Sequence, residues 1–179
     1  SGCYARRRSV HASTATVALT YPRDAVTHPL RGSGFVVPRV EPDVSIIAAT
    51  WVSSKWAGRA PADHVLLRAF IGGARDPEAL DRTPDDAALA QLAHKDLARI
   101  LSIRAEPSLT RVYRWKRRSP QLEVGHLNRL DAIDRRIEEV PGLFLTGSSF
   151  RSIGIPDCVR EGRATARRAA ERTVGAAAA

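Results

Sequence analysis

From Thr14 the chain alternates, with Val17, Leu19 and Tyr21 on one side and Thr16, Ala18 and Thr20 on the other, until Pro22-Arg23-Asp24 interrupts it. A period of two predicts a half-buried strand and a turn. Three more apolar runs follow: Phe35-Val36-Val37 after Gly32-Ser33-Gly34, Ser45 to Val52, and Val65 to Ile71 closed by Gly72-Gly73. Pro38 ends the second strand or marks it as an edge. Turn-rich links without helical pattern join these four segments, which predicts an antiparallel sheet rather than βαβ units. The period then changes. Leu89, Leu92, Ala93, Leu97, Ile100 and Leu101 recur at helical spacing. They predict a helix over 81–101 lying on the sheet, with Thr83 as N-cap and Pro84 in its first position. Alternation returns from Ser108 to Trp115, a fifth strand closed by Lys116-Arg117-Arg118 and Pro120, and a helix over 124–139 follows with Leu127, Leu130, Ile133 and Ile137 inward.

The stretch from Gly142 to Arg172 opens with Leu143-Phe144-Leu145-Thr146, which has the length and composition of a buried strand, and breaks at Gly147-Ser148-Ser149. A helix is expected to start near Pro156-Asp157. Gly162, Ala166, Ala169 and Ala170 with Val159 give it a small face, and Arg160, Arg163, Arg167 and Arg168 take the opposite side. Ile153-Gly154-Ile155 places a residue without a side chain where free amides favour a negatively charged partner. On pattern alone, this unit suits plain α/β packing as well as a cofactor site.

The fold class that follows is α+β: an antiparallel or mixed sheet with a covering helix, then a closing strand and helix. Residues 1–13 are expected to be an irregular tail, 14–118 the sheet domain and 119–175 the closing part of another domain. At 179 residues, 44% hydrophobic and 26% charged, the chain is globular in class. No run approaches the ~20 apolar residues of a membrane helix, and residence in the cytoplasm is expected, with peripheral membrane contact left open. The net charge of +9 first raises nucleic acid as a partner. The basic residues are scattered, however, and nearly all are arginine, Lys55, Lys95 and Lys116 apart. Nucleic acid is therefore not expected. Cys3 and Cys158 lie far apart and the histidines share no ligand-like spacing, so no metal site is expected. Ser53-Ser54 lacks a G-x-S-x-G context, His126 reads as a packing or hydrogen-bonding residue, and Arg59 as a solvated loop cation before a carboxylate binder.

Several motifs in order give the chain a specific likeness. They are Gly32-Ser33-Gly34-Phe35-Val36-Val37-Pro38, Ser53-Ser54 with Gly58-Arg59-Ala60-Pro61, Phe70-Ile71-Gly72-Gly73-Ala74, and Pro120-Gln121 with Val124-Gly125-His126. Thr146-Gly147, Gly154-Ile155-Pro156-Asp157-Cys158 and Glu161-Gly162-Arg163 complete the set. Together they resemble the oxygen-dependent protoporphyrinogen oxidase family of monoamine-oxidase-like flavoproteins, from about Thr14 to Ala170. The resemblance implies an FAD-dependent oxidase of haem biosynthesis that turns a porphyrinogen, protoporphyrinogen IX or coproporphyrinogen III, into the porphyrin with O2. It implies macrocycle contacts at Val36, Trp51 and Phe70. It also implies FAD contacts at Leu127, Gly147, Ile153, Gly154 and Ile155, and no obligatory catalytic side chain, because the cofactor carries the difficult chemistry. No G-x-G-x-x-G fingerprint is present, since Gly32-Ser33-Gly34 lacks the third glycine and precedes no helix. The expectation is therefore the C-terminal part of such an enzyme, with the pyrophosphate-binding half upstream of Ser1. Two other readings are a non-catalytic tetrapyrrole- or partner-binding domain and, ranked last, a different FAD-dependent amine oxidase.

Overall fold

A computed structural model of the chain describes residues 10–151 and 153–177, with side chains as far as Arg172. Two compact units emerge among the described residues: Ala12–Ser119, and the residues from Pro120 on together with Val10 and His11.

The first unit is a five-stranded sheet in the order β2-β3-β4-β1-β5. Its strands are β1 (His11–Pro22), β2 (Gly34–Val36), β3 (Ile46–Trp51), β4 (His64–Gly72) and β5 (Leu109–Pro120). All neighbours run antiparallel, β1 against β4 from Thr14↔Gly72 to Pro22↔His64, and β3 against both β2 and β4. The Ser108 amide donates to the Thr20 carbonyl at 2.9 Å and the Gln121 amide to that of Val10 at 2.8 Å, so β5 is antiparallel as well. β1 begins three residues before the expected start, and His11, Ala12 and Ser13 are strand rather than tail. β5 continues past Trp115 through Lys116-Arg117-Arg118. The cations do not stop it because it is an edge strand, where exposed charges are tolerated, and Arg117 adopts φ 51°, the mark of a bulge.

The alternation in β1 buries Ala15, Val17, Leu19 and Tyr21 on one side of the sheet. A short α1 (Val52–Lys55) follows β3, and α2 (Ala79–Arg82) and α3 (Asp86–Leu101) follow β4. The expected single helix over 81–101 is divided because Pro84 excludes helical geometry at Thr83, which sits at φ −124°, ψ 74°. Asp85, not Thr83, caps α3, its carboxylate accepting from the Ala87 and Ala88 amides at 3.2 Å. Leu89, Ala93, Leu97 and Leu101 enter the core with Leu19, Tyr21, Ile46 and Leu67, each leucine or isoleucine contributing roughly 1.5–3 kcal/mol of burial. Ile100, expected in that stripe, is exposed at the helix margin. Polar contacts from two buried or partly buried positions help to fix the helix on the sheet. The buried Asp96 carboxylate accepts the Ser45 and Ile46 amides at 2.6 and 3.0 Å. The Tyr21 hydroxyl meets His94 Nδ1 at 3.0 Å, while His94 Nε2 faces Glu106 at 3.3 Å. Burial, and secondarily the charge of Glu106, raises the Tyr21 phenol above its ordinary range.

The second unit carries α4 (His126–Glu138) and α5 (Ile155–Ala177). Leu130 is the buried anchor of α4 and Ile133 and Ile137 are half-buried, but Leu127 points to solvent at 72% exposure. The expected strand at Leu143–Thr146 is absent. These residues are irregular and largely exposed, beside a cleft of about 750 Å³. A strand needs a neighbour for its amides and carbonyls, and no described residue provides one here. α5 starts where proline and aspartate suggested, but its packed side differs: Cys158, Glu161, Gly162, Thr165 and Ala169 are covered, whereas Val159, Ala166 and Ala170 are exposed. No helix of the described residues is long and apolar enough to cross a membrane.

Candidate functional site

The sheet of the first unit packs its helices on one side only. On the other side, cross-strand pairing builds a row: Val36 opposite Ala48, Ala48 opposite Phe70, and Phe70 opposite Thr16. Trp115 extends it, its indole Nε1 donating to Thr16 Oγ1 at 3.3 Å. Val112 and Arg114 of β5 turn toward the helices, the arginine bonding the Leu80 and Thr83 carbonyls, so Tyr113 and Trp115 face away from them. At about 4.8 Å per strand this row spans roughly 19 Å, a largely apolar and aromatic strip whose outer members are exposed. Val36 is 78% exposed, Tyr113 and Trp115 are exposed, and Phe70 is half-buried.

Two of the three expected macrocycle residues, Val36 and Phe70, thus share one face. Trp51 does not. It pairs with Leu67 on the helix side, is 6% exposed, and its ring tilts against His28 at 5.0 Å between centroids. Its indole N–H is buried without a partner among the described residues. The side chain that β3 presents at this level of the open face is Thr50, opposite Gly34 and Arg68. Side chains alternate strictly along a strand, so a displacement of one residue exchanges the faces. Thr50, Tyr113 and Trp115 carry no motif and were not identified from sequence; the alternation of β5 was the available signal for the last two.

Gly34 makes the approach of β2 to β3 possible. It has φ 141°, and a Cβ there would lie 2.0 Å from the Ala49 carbonyl oxygen and 2.9 Å from Thr50 Cα. Only a residue without a side chain fits.

In the second unit, Leu127, Gly147, Ile153, Gly154 and Ile155 lie around the starts of α4 and α5. His126 Nε2 donates to the Phe150 carbonyl at 2.6 Å, and the Phe150 amide to Gly147 at 3.1 Å, tying the first turn of α4 to the 147–150 turn. Gly147 has φ 124° with nothing within 4 Å of the position a Cβ would take. Ile153 and Ile155 are 55% and 80% exposed. At Gly154 a Cβ would meet the Asp157 carboxylate at 3.1 Å, and that carboxylate pairs with Arg160. The first amides of α5 have no carbonyl of the helix to reach. Gly147 and Gly154 thus each present backbone without a side chain of their own, and Leu127, Ile153 and Ile155 are exposed apolar side chains at these helix starts. Exposed backbone and apolar side chains of this kind are chemically compatible with the edge of a flat ring. Among the described residues no group of three or more His, Cys, Asp or Glu could hold a metal ion.

No family model matches the chain. It is 38% identical over 153 residues to the coproporphyrinogen III oxidase of Bacillus subtilis (strain 168), covering 85% of this chain and 32% of that protein. It is 34% identical over 155 residues to the coproporphyrinogen III oxidase of Staphylococcus aureus, covering 86% of this chain and 33% of that one. The chloroplastic protoporphyrinogen oxidase of Nicotiana tabacum is 31% identical over 153 residues, covering 80% of this chain and 27% of that protein. Among solved structures, a protein of Exiguobacterium sp. 255-15, provisionally named protoporphyrinogen oxidase, superposes with a TM-score of 0.73 at 34% identity, over 86% of this chain and 33% of that one. A reduced UDP-galactopyranose mutase shares the fold at a TM-score of 0.50 and 14% identity, over 74% of this chain and 27% of that one. The chain spans about a third of the length of these curated coproporphyrinogen III oxidase relatives. Over most of its own length, it is similar to the C-terminal part of the coproporphyrinogen III and protoporphyrinogen oxidases.

Proposed function

We propose that this chain supplies the substrate sheet and the closing cofactor segment of an FAD-dependent oxidase of haem biosynthesis, one that converts a porphyrinogen to the porphyrin with O2. The observation that carries the reading is the open face of the sheet. Five strands present Val36, Ala48, Phe70, Thr16 and Trp115 in one row, in a chain similar over 85% of its length to a coproporphyrinogen III oxidase. A flat macrocycle needs a flat apolar surface, and aromatic side chains hold it by stacking as well as by burial. In the second unit, Gly154 and Gly147 leave backbone where a ring edge would lie, and Ile153, Ile155 and Leu127 give it an apolar rim. FAD, when bound, supplies the hydride acceptor and the route for electrons to O2. The chain's own residues bind and orient: Phe70 and Trp115 fix the plane of the macrocycle, small Ala48 and Thr16 let it approach the sheet, and the amides of the first turn of α5 favour negative charge beside them. No proton transfer is assigned to a side chain, and His126 is engaged with the Phe150 carbonyl.

The test is a chimera that joins the part of the Bacillus subtilis relative preceding the matched region to this chain. A yellow protein that oxidises coproporphyrinogen III and loses flavin when Gly154 becomes leucine is the expected result. A folded chimera that retains no flavin, or one in which Gly154→Leu keeps full flavin occupancy, would overturn the cofactor assignment. Titration of the chain alone with coproporphyrin III, followed by quenching of tryptophan fluorescence, checks the face separately. Binding should saturate in the native chain and be lost in Phe70→Asp.

A further inference from the structure

Arg68 stands on the same open face, two residues from Phe70 and about 7 Å along the strand. Its cross-strand neighbours are Ala18 on β1 and Thr50 on β3, both small. Leu66 and Phe70 precede and follow it on that side of β4. The guanidinium is exposed and has no hydrogen-bond or ion-pair partner among the described residues. Arg75 and Arg114, by contrast, are engaged: Arg75 holds the Val37, Glu41 and Val44 carbonyls, and Arg114 binds Asp86 and the Leu80 and Thr83 carbonyls. A cation without a partner among the described residues thus stands on the central strand of this face, between the small side chains of Ala18 and Thr50.

We propose that Arg68 reads a carboxylate on the rim of the bound macrocycle and so favours a tetracarboxylate porphyrin skeleton over a dicarboxylate one, an inference that rests on the tetrapyrrole reading of this face. Two forms of charge and shape complementarity support it. A ring stacked over Phe70 and the Val36 to Trp115 row places its periphery at the distance of Arg68. A planar guanidinium can then pair bidentately with a propionate. A coproporphyrin skeleton carries propionate on every pyrrole, so any edge turned to Arg68 offers an acceptor. In a skeleton with two propionates the opposite edge is apolar, and turning that edge to Arg68 would strip water from the cation without replacing it.

The experiment compares coproporphyrin III with deuteroporphyrin IX, which has the same ring and two propionates, against the full chain and its Arg68→Gln and Arg68→Lys variants. Because Arg68 is exposed, both variants should melt with the native chain. The native chain should bind coproporphyrin III about two- to fivefold more tightly, with the difference shrinking as salt rises. Arg68→Gln should remove most of that preference by weakening coproporphyrin III alone, and Arg68→Lys should restore part of it. If both porphyrins bind but Arg68→Gln leaves their ratio unchanged, or weakens them equally, the assignment to Arg68 is wrong and the tetrapyrrole face stands. If neither binds the native chain, the face is not a tetrapyrrole site and the inference falls with it.

Discussion

Replacing Gly34 by alanine tests how the open face is assembled. The added methyl would stand 2.0 Å from the Ala49 carbonyl oxygen and 2.9 Å from Thr50 Cα, both backbone atoms that cannot rotate away. β2 must therefore lift from β3, loosening the pairs Gly34↔Thr50, Phe35↔Ala49 and Val36↔Ala48. The φ of 141° adds strain for an L side chain, about 1–3 kcal/mol. Displacing packed backbone adds a similar amount, for a total of about 4 kcal/mol. At ~4–8 °C per kcal/mol for a unit near 100 residues, the melting temperature should fall by about 15 °C or more. Gly58→Ala provides the comparison, since Gly58 has φ 72° with nothing within 4 Å of the new methyl; it carries only the strain, about 1 kcal/mol. Thermal melts followed by circular dichroism measure both. The reasoning is refuted if Gly34→Ala costs no more than Gly58→Ala.

Other expectations follow from the same geometry. The folded chain holds Tyr21 neutral above the pH, near 10, at which an unfolded chain releases the proton. Stability is thus fully present below that pH and declines as pH rises above it; urea midpoints at rising alkaline pH should show a steeper decline for the native chain than for Tyr21→Phe, and equal slopes would contradict this. Asp96→Ala leaves the Ser45 and Ile46 amides without their acceptor and should cost about 2–4 kcal/mol in urea unfolding, with Asp96→Asn milder. Asp85→Ala, which removes the cap of α3, should cost about 1 kcal/mol by the same measurement. Trp51→Phe should change coproporphyrin III affinity by less than about twofold, whereas Thr50→Glu, beside Arg68, should weaken it severalfold; the reverse order would return the macrocycle contact to Trp51.

The sheet was readable because β1 and β4 bury one side only, so the period of two survives in the residues. β3 was not readable in the same way. Ile46, Ile47, Ala48 and Ala49 are apolar on both sides, and an irregularity between Ile46 and Ala48 shifts the alternation. Only pairing with β4 decides that Thr50 and not Trp51 looks outward. Leu127 fits an apolar stripe with Leu130, yet the stripe runs one position beyond the packed part of α4. The Leu143 to Thr146 run has strand composition, but composition cannot provide the neighbouring strand on which β structure depends. Glycine and proline punctuation, by contrast, marked the start of α5 well, because these residues act through their own backbone rather than through partners.

The two margins of the sheet bear on how molecules with such a bare aromatic floor meet one another. β2 is three residues long and is followed closely by Pro38, while β5 carries Lys116, Arg117 and Arg118 near its end, with a left-handed residue among them. The short β2 rim, and the charges and left-handed residue late in the longer β5 rim, both disfavour the addition of a sixth strand. Self-association at high concentration should instead be floor to floor, burying Tyr113 and Trp115 in a closed pair that ends growth after one step.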